Sequence, residues 1–193
     1  MQLTEFFEER LQISRSLTEI GELSLLNTFN TDLPRIFVVA TASHFETVVT
    51  GHIREFFAET SHSHPAVMGF VDKRALFRNY HTLFSWSDNS VNSFFGMFGK
   101  DCSDHYKRLA NKEDWLRDSA RAFLQLGQAR NELVHGDFAS HSPTFTAPEI
   151  QKSFTTAKRF VDTIPFVLRL QDLSGWNEEP TGHIALTQEP TSL

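Results

Sequence analysis

Cysteine is nearly absent from this sequence, because Cys102 is the only one among 193 residues. A single cysteine excludes an internal disulfide framework, a paired-thiol redox motif and a cysteine-based zinc site, and it points to a reducing compartment. The chain also lacks an apolar run near the roughly 20 residues that span a bilayer. Its first residues form an amphipathic, acidic pattern rather than a charged-then-apolar leader. We therefore expect a soluble, cytoplasmic protein with no membrane partner.

Several common catalytic motifs are missing as well. The sequence has no Gly-rich phosphate loop, no Gly-x-Ser-x-Gly elbow and no His-Glu-x-x-His pattern. His62 and His64 are spaced so that they could seat a metal ion, but without cysteines or a helical His-x-x-x-His pair a surface turn is the favoured interpretation. We expect neither a metal site nor a cofactor.

Net positive charge is also lacking, since the formal net charge is −6 at pH 7. Phosphate neutralisation supplies most sequence-independent affinity for nucleic acids, so this balance argues against a generic nucleic-acid coating protein. Between His105 and Asn131 the balance reverses to six cations, Arg121 and Arg130 among them, against three carboxylates. Any RNA contact would have to be local, although an ordinary solvated helix face gives the same pattern.

Apolar residues recur at three- and four-residue steps, which predicts an all-α bundle of five to six helices. The predicted helices cover residues 4–26, 34–59, 66–84, 111–135 and 147–170, and residues 92–99 are expected to form a partly helical plug. The second of these segments contains runs of β-branched residues, which favour a strand. It is too long to be a single strand, however, because no turn signal interrupts it.

Local signals place the ends of the last two helices. Gly136 is suited to end the helix over 111–135. Thr146, Pro148 and Glu149 form a capping signature for the last helix, which Pro165 should bend or interrupt. Residues 1–172 then form a single domain without internal repeats, and residues 173–193 are expected to be a mobile tail because few apolar side chains anchor them.

The six residues from Arg130 to His135, Arg-Asn-Glu-Leu-Val-His, carry the chemistry that this sequence can offer. Asn131 and His135 are four residues apart and share a helix face, whereas Arg130 lies about 140° round from His135. Metal-free RNA cleavage needs a base for the ribose 2′-hydroxyl and a cation for the phosphate. His135 can act as base or acid, Arg130 can hold the phosphate, and Asn131 can orient His135 or bond the phosphate. The angular separation favours a site shared by two chains of a homodimer.

An ordinary structural role competes with this interpretation. Arginine and histidine in the last turn of a helix also complement the helix dipole and cap free carbonyl groups. An isolated Arg-x-x-x-x-His pattern would favour that role, and the added asparagine, the following glycine and the helical context shift the balance toward chemistry.

The motif and its context resemble the HEPN family, helical bundles whose signature is an arginine, four to six arbitrary residues and a histidine, often with asparagine after the arginine. The segments 34–59 and 92–99 are similar to the branch associated with RiboL-PSP domains, and the resemblance covers about residues 36–170. It implies a dimeric endoribonuclease that leaves a 2′,3′-cyclic phosphate and serves toxin-antitoxin or anti-phage defence, with a possible antitoxin or sensor protein as partner. The alternative is a catalytically inactive HEPN-like module that binds RNA, a nucleotide or a protein, including an antitoxin role.

A few further residues are candidates for supporting roles. Glu46 interrupts an apolar stretch, so we expect it to pair with Arg130 or orient His135, or else to lie half-exposed at the bundle edge. Arg74, Arg78 and Arg121 are candidate phosphate contacts, with a solvated surface as the alternative. Phe138 could stack on a base or fold back on the helix end. His44 and His52 are expected at the edge of the core.

Overall fold

A computed structural model describes residues 2–136, 143–174 and 176. These residues contain seven α-helices and no strand, which confirms the all-α prediction. The helices are α1 (Leu3–Glu19), α2 (Leu23–Thr60), α3 (Pro65–Phe70), α4 (Asn92–Gly96), α5 (Lys100–Lys112), α6 (Asp114–His135) and α7 (Ala147–Leu168). A π-helical turn at Val71–Leu76 and a 3-10 turn at Tyr80–Thr82 lie between α3 and α4.

The core forms where α2, α6 and α7 pack against one another, and α1 covers α2. Phe45 of α2 meets Phe123 of α6 at 5.5 Å and Phe154 of α7 at 5.3 Å between ring centroids. Phe123 in turn contacts Phe160 of α7 at 5.2 Å. Buried aromatic pairs of this kind stabilise a core beyond the area that they bury, so the three helices are held in a fixed relation.

The predicted end of the first helix and the predicted start of the second helix are wrong. The first helix ends at Glu19, because Gly21 takes a left-handed conformation with φ +77° that turns the chain before α2 begins at Leu23. Pro34 does not open a helix but lies inside α2, where it cannot donate to the preceding turn. Leu33 and Phe37 on either side of it are almost completely buried, and we attribute the continuity of the helix to their packing.

The helix predicted over residues 66–84 is broken. The chain passes from α3 into the π-helical turn, and Arg78 then adopts a left-handed conformation with φ +58°. The alternation of apolar and charged residues does not predict such a change of helical pitch, and the π-helical turn packs on α2. Residues 92–96 are helical within the predicted plug, and Phe94 and Phe95 are fully buried.

The prediction omits one helix, α5, and it places the start of α7 correctly. The sequence analysis missed α5, although Cys102, Tyr106 and Leu109 follow the helical period and are buried. For α7, Thr146 and Glu149 form the predicted capping box, and the helix continues through Pro165 to Leu168. Of the two predicted effects of Pro165, a bend or an interruption, the interruption does not occur.

The folded part continues a few residues past the predicted boundary at 172. Leu173 is buried, and the Trp176 ring stacks on Trp115 of α6 with 5.8 Å between centroids. Residues 177–193, where most of the predicted tail falls, lie outside the described residues.

Among the described residues, α2 is the one helix with the length and composition to cross a membrane. Core helices of soluble proteins pass the same test. The buried face of α2 packs on the other helices, and its exposed face carries Glu46, Arg54 and Glu55, which would be costly in lipid. We therefore treat α2 as the core helix of a soluble bundle.

Two histidines of α2 lie where it packs on α7, at the edge of the core as predicted. Burial lowers the pKa of His44 and of His52 below the usual histidine value of 6.5. Around His52, Glu55 and Asp162 act against this shift, whereas Arg169 and Lys158 add to it. The Nε2 atom of His52 is buried and has no hydrogen-bond partner in the described part of the chain. Folding therefore favours the neutral rings.

These two rings should make stability depend on pH. A histidine with a lowered pKa in the folded state binds its proton more readily after unfolding, so its contribution is complete above about 6.5 and is lost as the pH falls. We expect the free energy of unfolding in urea to fall between about pH 7 and pH 5, and to fall less in the His44→Gln/His52→Gln double variant. An equal slope in the two proteins would contradict the assignment.

Candidate active site

The last two turns of α6 place the motif at the surface end of a core helix. Leu126, Ala129 and Leu133 are buried and fix the rotation of α6 about its axis. As a result Arg130 and Asn131 are half-buried and His135 is exposed at the last helical residue.

A cavity of about 100 Å³ lies between α2, α6 and the segment over residues 78–86. Its polar lining comes from all three elements: Glu46, Arg78, Tyr80, His81, Arg130 and Asn131. The remaining lining is apolar or backbone: Ala42, Phe45, Trp86, Phe123 and Gly127. An apolar wall on which several polar groups converge is typical of a small-ligand site.

The arginine and asparagine of the motif are bonded to each other. The Arg130 guanidinium donates from Nη1 to Oδ1 of Asn131 at 3.2 Å. In the described part of the chain Asn131 makes no hydrogen bond to His135. The sequence analysis expected Asn131 to orient His135 or to bond the phosphate, whereas the contact that forms holds the arginine.

His135 lies outside the cavity that contains Arg130. It is exposed and is not among the lining residues. The helix ends directly after it, as predicted, but Gly136 is extended rather than left-handed, with φ −91° and ψ −178°. Glycine suits this position because a Cβ there would lie 2.8 Å from the Glu132 carbonyl oxygen. Within one chain, the structure therefore brings Arg130 and Asn131 together and leaves His135 apart.

Glu46 shares the cavity with Arg130 without pairing with it. Glu46 is exposed, and no ion pair or side-chain hydrogen bond within the described residues joins it to Arg130 or His135. Both predicted contacts of Glu46 are therefore absent. The two charges still act on Tyr80, whose phenol has a pKa raised well above its usual value, first by burial and then by Glu46, with Arg130 opposing. The Tyr80 hydroxyl has no hydrogen-bond partner among the described residues.

The sequence analysis missed the contact that closes the cavity. The Trp86 ring lies directly on the backbone of α6 at Gly127, where an added Cβ would be only 2.0 Å from ring atoms. Trp86 also donates from Nε1 to the His81 carbonyl oxygen at 2.8 Å and contacts Phe123 at 5.6 Å between centroids. A glycine inside a strongly helical pattern was the available signal for such a close approach.

The other predicted RNA contacts fall in different places. Arg78 lines the cavity, whereas Arg74 is exposed on the π-helical turn and does not. Arg121 lies about 180° round α6 from Arg130 and lines a second cavity, beside Tyr106 and Arg117. Phe138 lies outside the described residues. Of the three arginines outside the motif that were predicted to contact RNA, only Arg78 therefore lines the cavity.

Metal-ligating side chains do not cluster in the part of the chain that the structure describes. No group of three or more histidine, cysteine, aspartate or glutamate residues there could hold a metal ion. Among the described residues that line the cavity, Glu46 and His81 are the only such side chains.

Comparison with known proteins identifies a family whose model matches most of the chain. The sequence model of the family described as RiboL-PSP-HEPN matches residues 4–165, which span α1 to most of α7. No curated protein and no solved structure matches the chain.

Replacing Gly127 tests the contact with Trp86. In Gly127→Ala the new methyl group overlaps the indole, so we expect the free energy of unfolding to fall by about 1–3 kcal/mol and Trp86 to be displaced. Gly51 of α2 is the matched control, since nothing lies within 4 Å of a Cβ there. Gly51→Ala should gain about 0.5–1 kcal/mol from helix propensity alone. Urea denaturation measures the free energy of unfolding of both variants. If Gly127→Ala stabilises the protein as Gly51→Ala does, the contact is refuted.

Proposed function

Because the chain belongs to the RiboL-PSP-HEPN family, we propose that it is an endoribonuclease that cleaves RNA without a metal ion and acts as a homodimer. HEPN domains are nuclease or RNA-related modules in general, and this chain carries the residues that the chemistry requires. The observation that carries the proposal is the position of Arg130, held by Asn131 in a cavity beside the exposed helix end that bears His135.

The proposed reaction needs only the RNA and two side chains. A base removes the proton of the ribose 2′-hydroxyl, the 2′-oxygen attacks the adjacent phosphorus, and the bond from phosphorus to the 5′-oxygen breaks. The leaving oxygen takes a proton, so the products are a 2′,3′-cyclic phosphate and a 5′-hydroxyl. His135 is the proton-transfer group, and Arg130 stabilises the charge on the phosphate oxygens.

The geometry of α6 supports a site made by two chains. Arg130 and His135 are separated by about 140° around the helix and about 7.5 Å along it, and His135 does not line the cavity. If two α6 ends lie side by side, His135 of each chain can face Arg130 of the other. RNA is the proposed substrate, and the proposed setting is cytoplasmic toxin-antitoxin or anti-phage defence, with an antitoxin or sensor protein as regulator.

The rival proposal is a HEPN-like module that has lost catalysis and binds RNA, a nucleotide or a protein. It is favoured by one feature, the separation of Arg130 from His135 within a chain. An antitoxin role belongs with this proposal, and it would be seen as rescue of cells from the product of a neighbouring gene.

Cleavage of mixed cellular RNA in the presence of EDTA tests the proposal directly. We expect the wild type to cut and His135→Ala to lose about 10²–10⁴-fold in rate, because general acid–base catalysis contributes that much. Arg130→Ala should lose a comparable factor through lost phosphate stabilisation. His62→Ala and Arg121→Ala, which change residues remote from the cavity, should cut as the wild type does. Cleavage that needs added divalent metal would refute the mechanism, and no cleavage at all would refute the nuclease.

A mixture of two inactive variants tests the shared site. A dimer of one Arg130→Ala chain and one His135→Ala chain keeps one complete pair only if Arg130 and His135 act across the interface. We therefore expect co-expressed, differently tagged chains, purified through both tags, to recover up to about half of the wild-type rate. If the mixed dimer is as inactive as the Arg130→Ala homodimer and the His135→Ala homodimer, the two residues act within one chain.

A further inference from the structure

We propose that the cavity between α2, α6 and residues 78–86 is a guanine-binding subsite, in which Glu46 determines the base beside the cleaved bond. The proposal rests on the proposed nuclease function for its biological role, but binding of a guanine nucleotide can be tested without cleavage.

The cavity has the form that a nucleobase requires. A base presents two apolar faces and a polar edge, and proteins bind unstacked bases with aromatic side chains and with hydrogen bonds to that edge. Here Trp86, Tyr80 and Phe123 supply aromatic surface, and the polar groups come from α2 and α6. Because Trp86 is fixed on Gly127 and bonded to the His81 carbonyl, the aromatic wall is formed before a ligand arrives.

Opposite charges face this cavity without neutralising one another. Glu46 on one side and Arg130 on the other make no ion pair, although both lie close enough to influence Tyr80. Tyr80, which is 8% exposed, lines the same cavity, and its hydroxyl has no hydrogen-bond partner among the described residues. A site with separate acceptors and donors left open is suited to a ligand that offers both.

Glu46 favours guanine among the four RNA bases. An ionised carboxylate only accepts hydrogen bonds, through two oxygens. Guanine alone offers two adjacent donors, N1–H and N2–H, on its Watson–Crick edge. Adenine and cytosine place an acceptor beside their amino group, and uracil flanks its single donor with two carbonyl oxygens. A two-pronged contact with Glu46 therefore selects guanine.

The motif lies at the right place for such a base to direct cleavage. Arg130 lines the same cavity, so a phosphate attached to the bound nucleoside would lie near its guanidinium. Arg78 adds a second cation at the cavity, in a left-handed conformation that is strained for a residue other than glycine. Strain of this kind is concentrated at functional sites. Base and phosphate would thus be held by one cavity.

Titration with GMP, AMP, CMP and UMP, followed by isothermal calorimetry, tests the subsite on the full chain. We expect GMP to bind at least about 10-fold more tightly than the other three, and Glu46→Gln to remove that preference, because glutamine replaces one acceptor with a donor that opposes guanine. Glu55→Gln is the matched control, since Glu55 is exposed on the same helix and does not line the cavity. It should bind GMP as the wild type does.

The outcomes for the subsite and for the nuclease are distinguishable. Sequencing of the cleaved RNA ends should show guanosine at one fixed position relative to the cut. Glu46→Gln should relax that preference, and it should lower the overall cleavage rate by a smaller factor than it lowers the preference for guanosine. Cleavage without any base preference, or equal binding of the four nucleotides, would refute the subsite and leave the nuclease standing. Selective GMP binding through Glu46 without cleavage would refute the nuclease and support the subsite.

Discussion

The contact of the Trp86 ring with bare backbone at Gly127 is the constraint on which the candidate site depends. It holds the irregular segment over residues 78–86 against α6 one turn before Arg130, and the hydrogen bond from Trp86 to the His81 carbonyl fixes the ring within that segment. A larger residue at Gly127 would separate the two surfaces. Without this approach Tyr80 and Arg78 would not face Arg130, and the end of α6 would present its arginine to open solvent.

Closing the cavity in this way leaves opposite charges close together but unpaired. An ion pair between exposed Glu46 and half-buried Arg130 would add little stability, because ion pairs at the protein surface contribute about 0–1 kcal/mol. Leaving both groups open therefore costs the fold little. It leaves an acceptor and donors available to a ligand. Under the proposed function, the RNA contact of this acidic protein would be local rather than spread over its surface.

The parts of the fold that could be predicted are those set by neighbouring residues. The capping box at Thr146 and Glu149 and the end of α6 at Gly136 depend on contacts within three or four positions, so the sequence specifies them directly. The passage of α2 through Pro34 and the left-handed Arg78 depend on distant packing, and local rules therefore gave the wrong boundaries there. The candidate site divides in the same way: the motif was recognisable, but Tyr80, Trp86 and Gly127 reach it only through the tertiary fold.

The hydrogen bond that Asn131 makes gives it a different role from the predicted one. The face that it shares with His135 suggested a partner for the histidine, yet its amide oxygen accepts from Arg130, its immediate neighbour. A long, flexible arginine side chain loses rotamer freedom when it is held in one position, and the hydrogen bond limits that loss before any phosphate arrives. The pairing uses only one of the five N–H donors of the guanidinium, so the other four remain for a ligand. Asparagine after arginine thus holds the cation in place, and in the proposed mechanism the partner of His135 would come from a second chain.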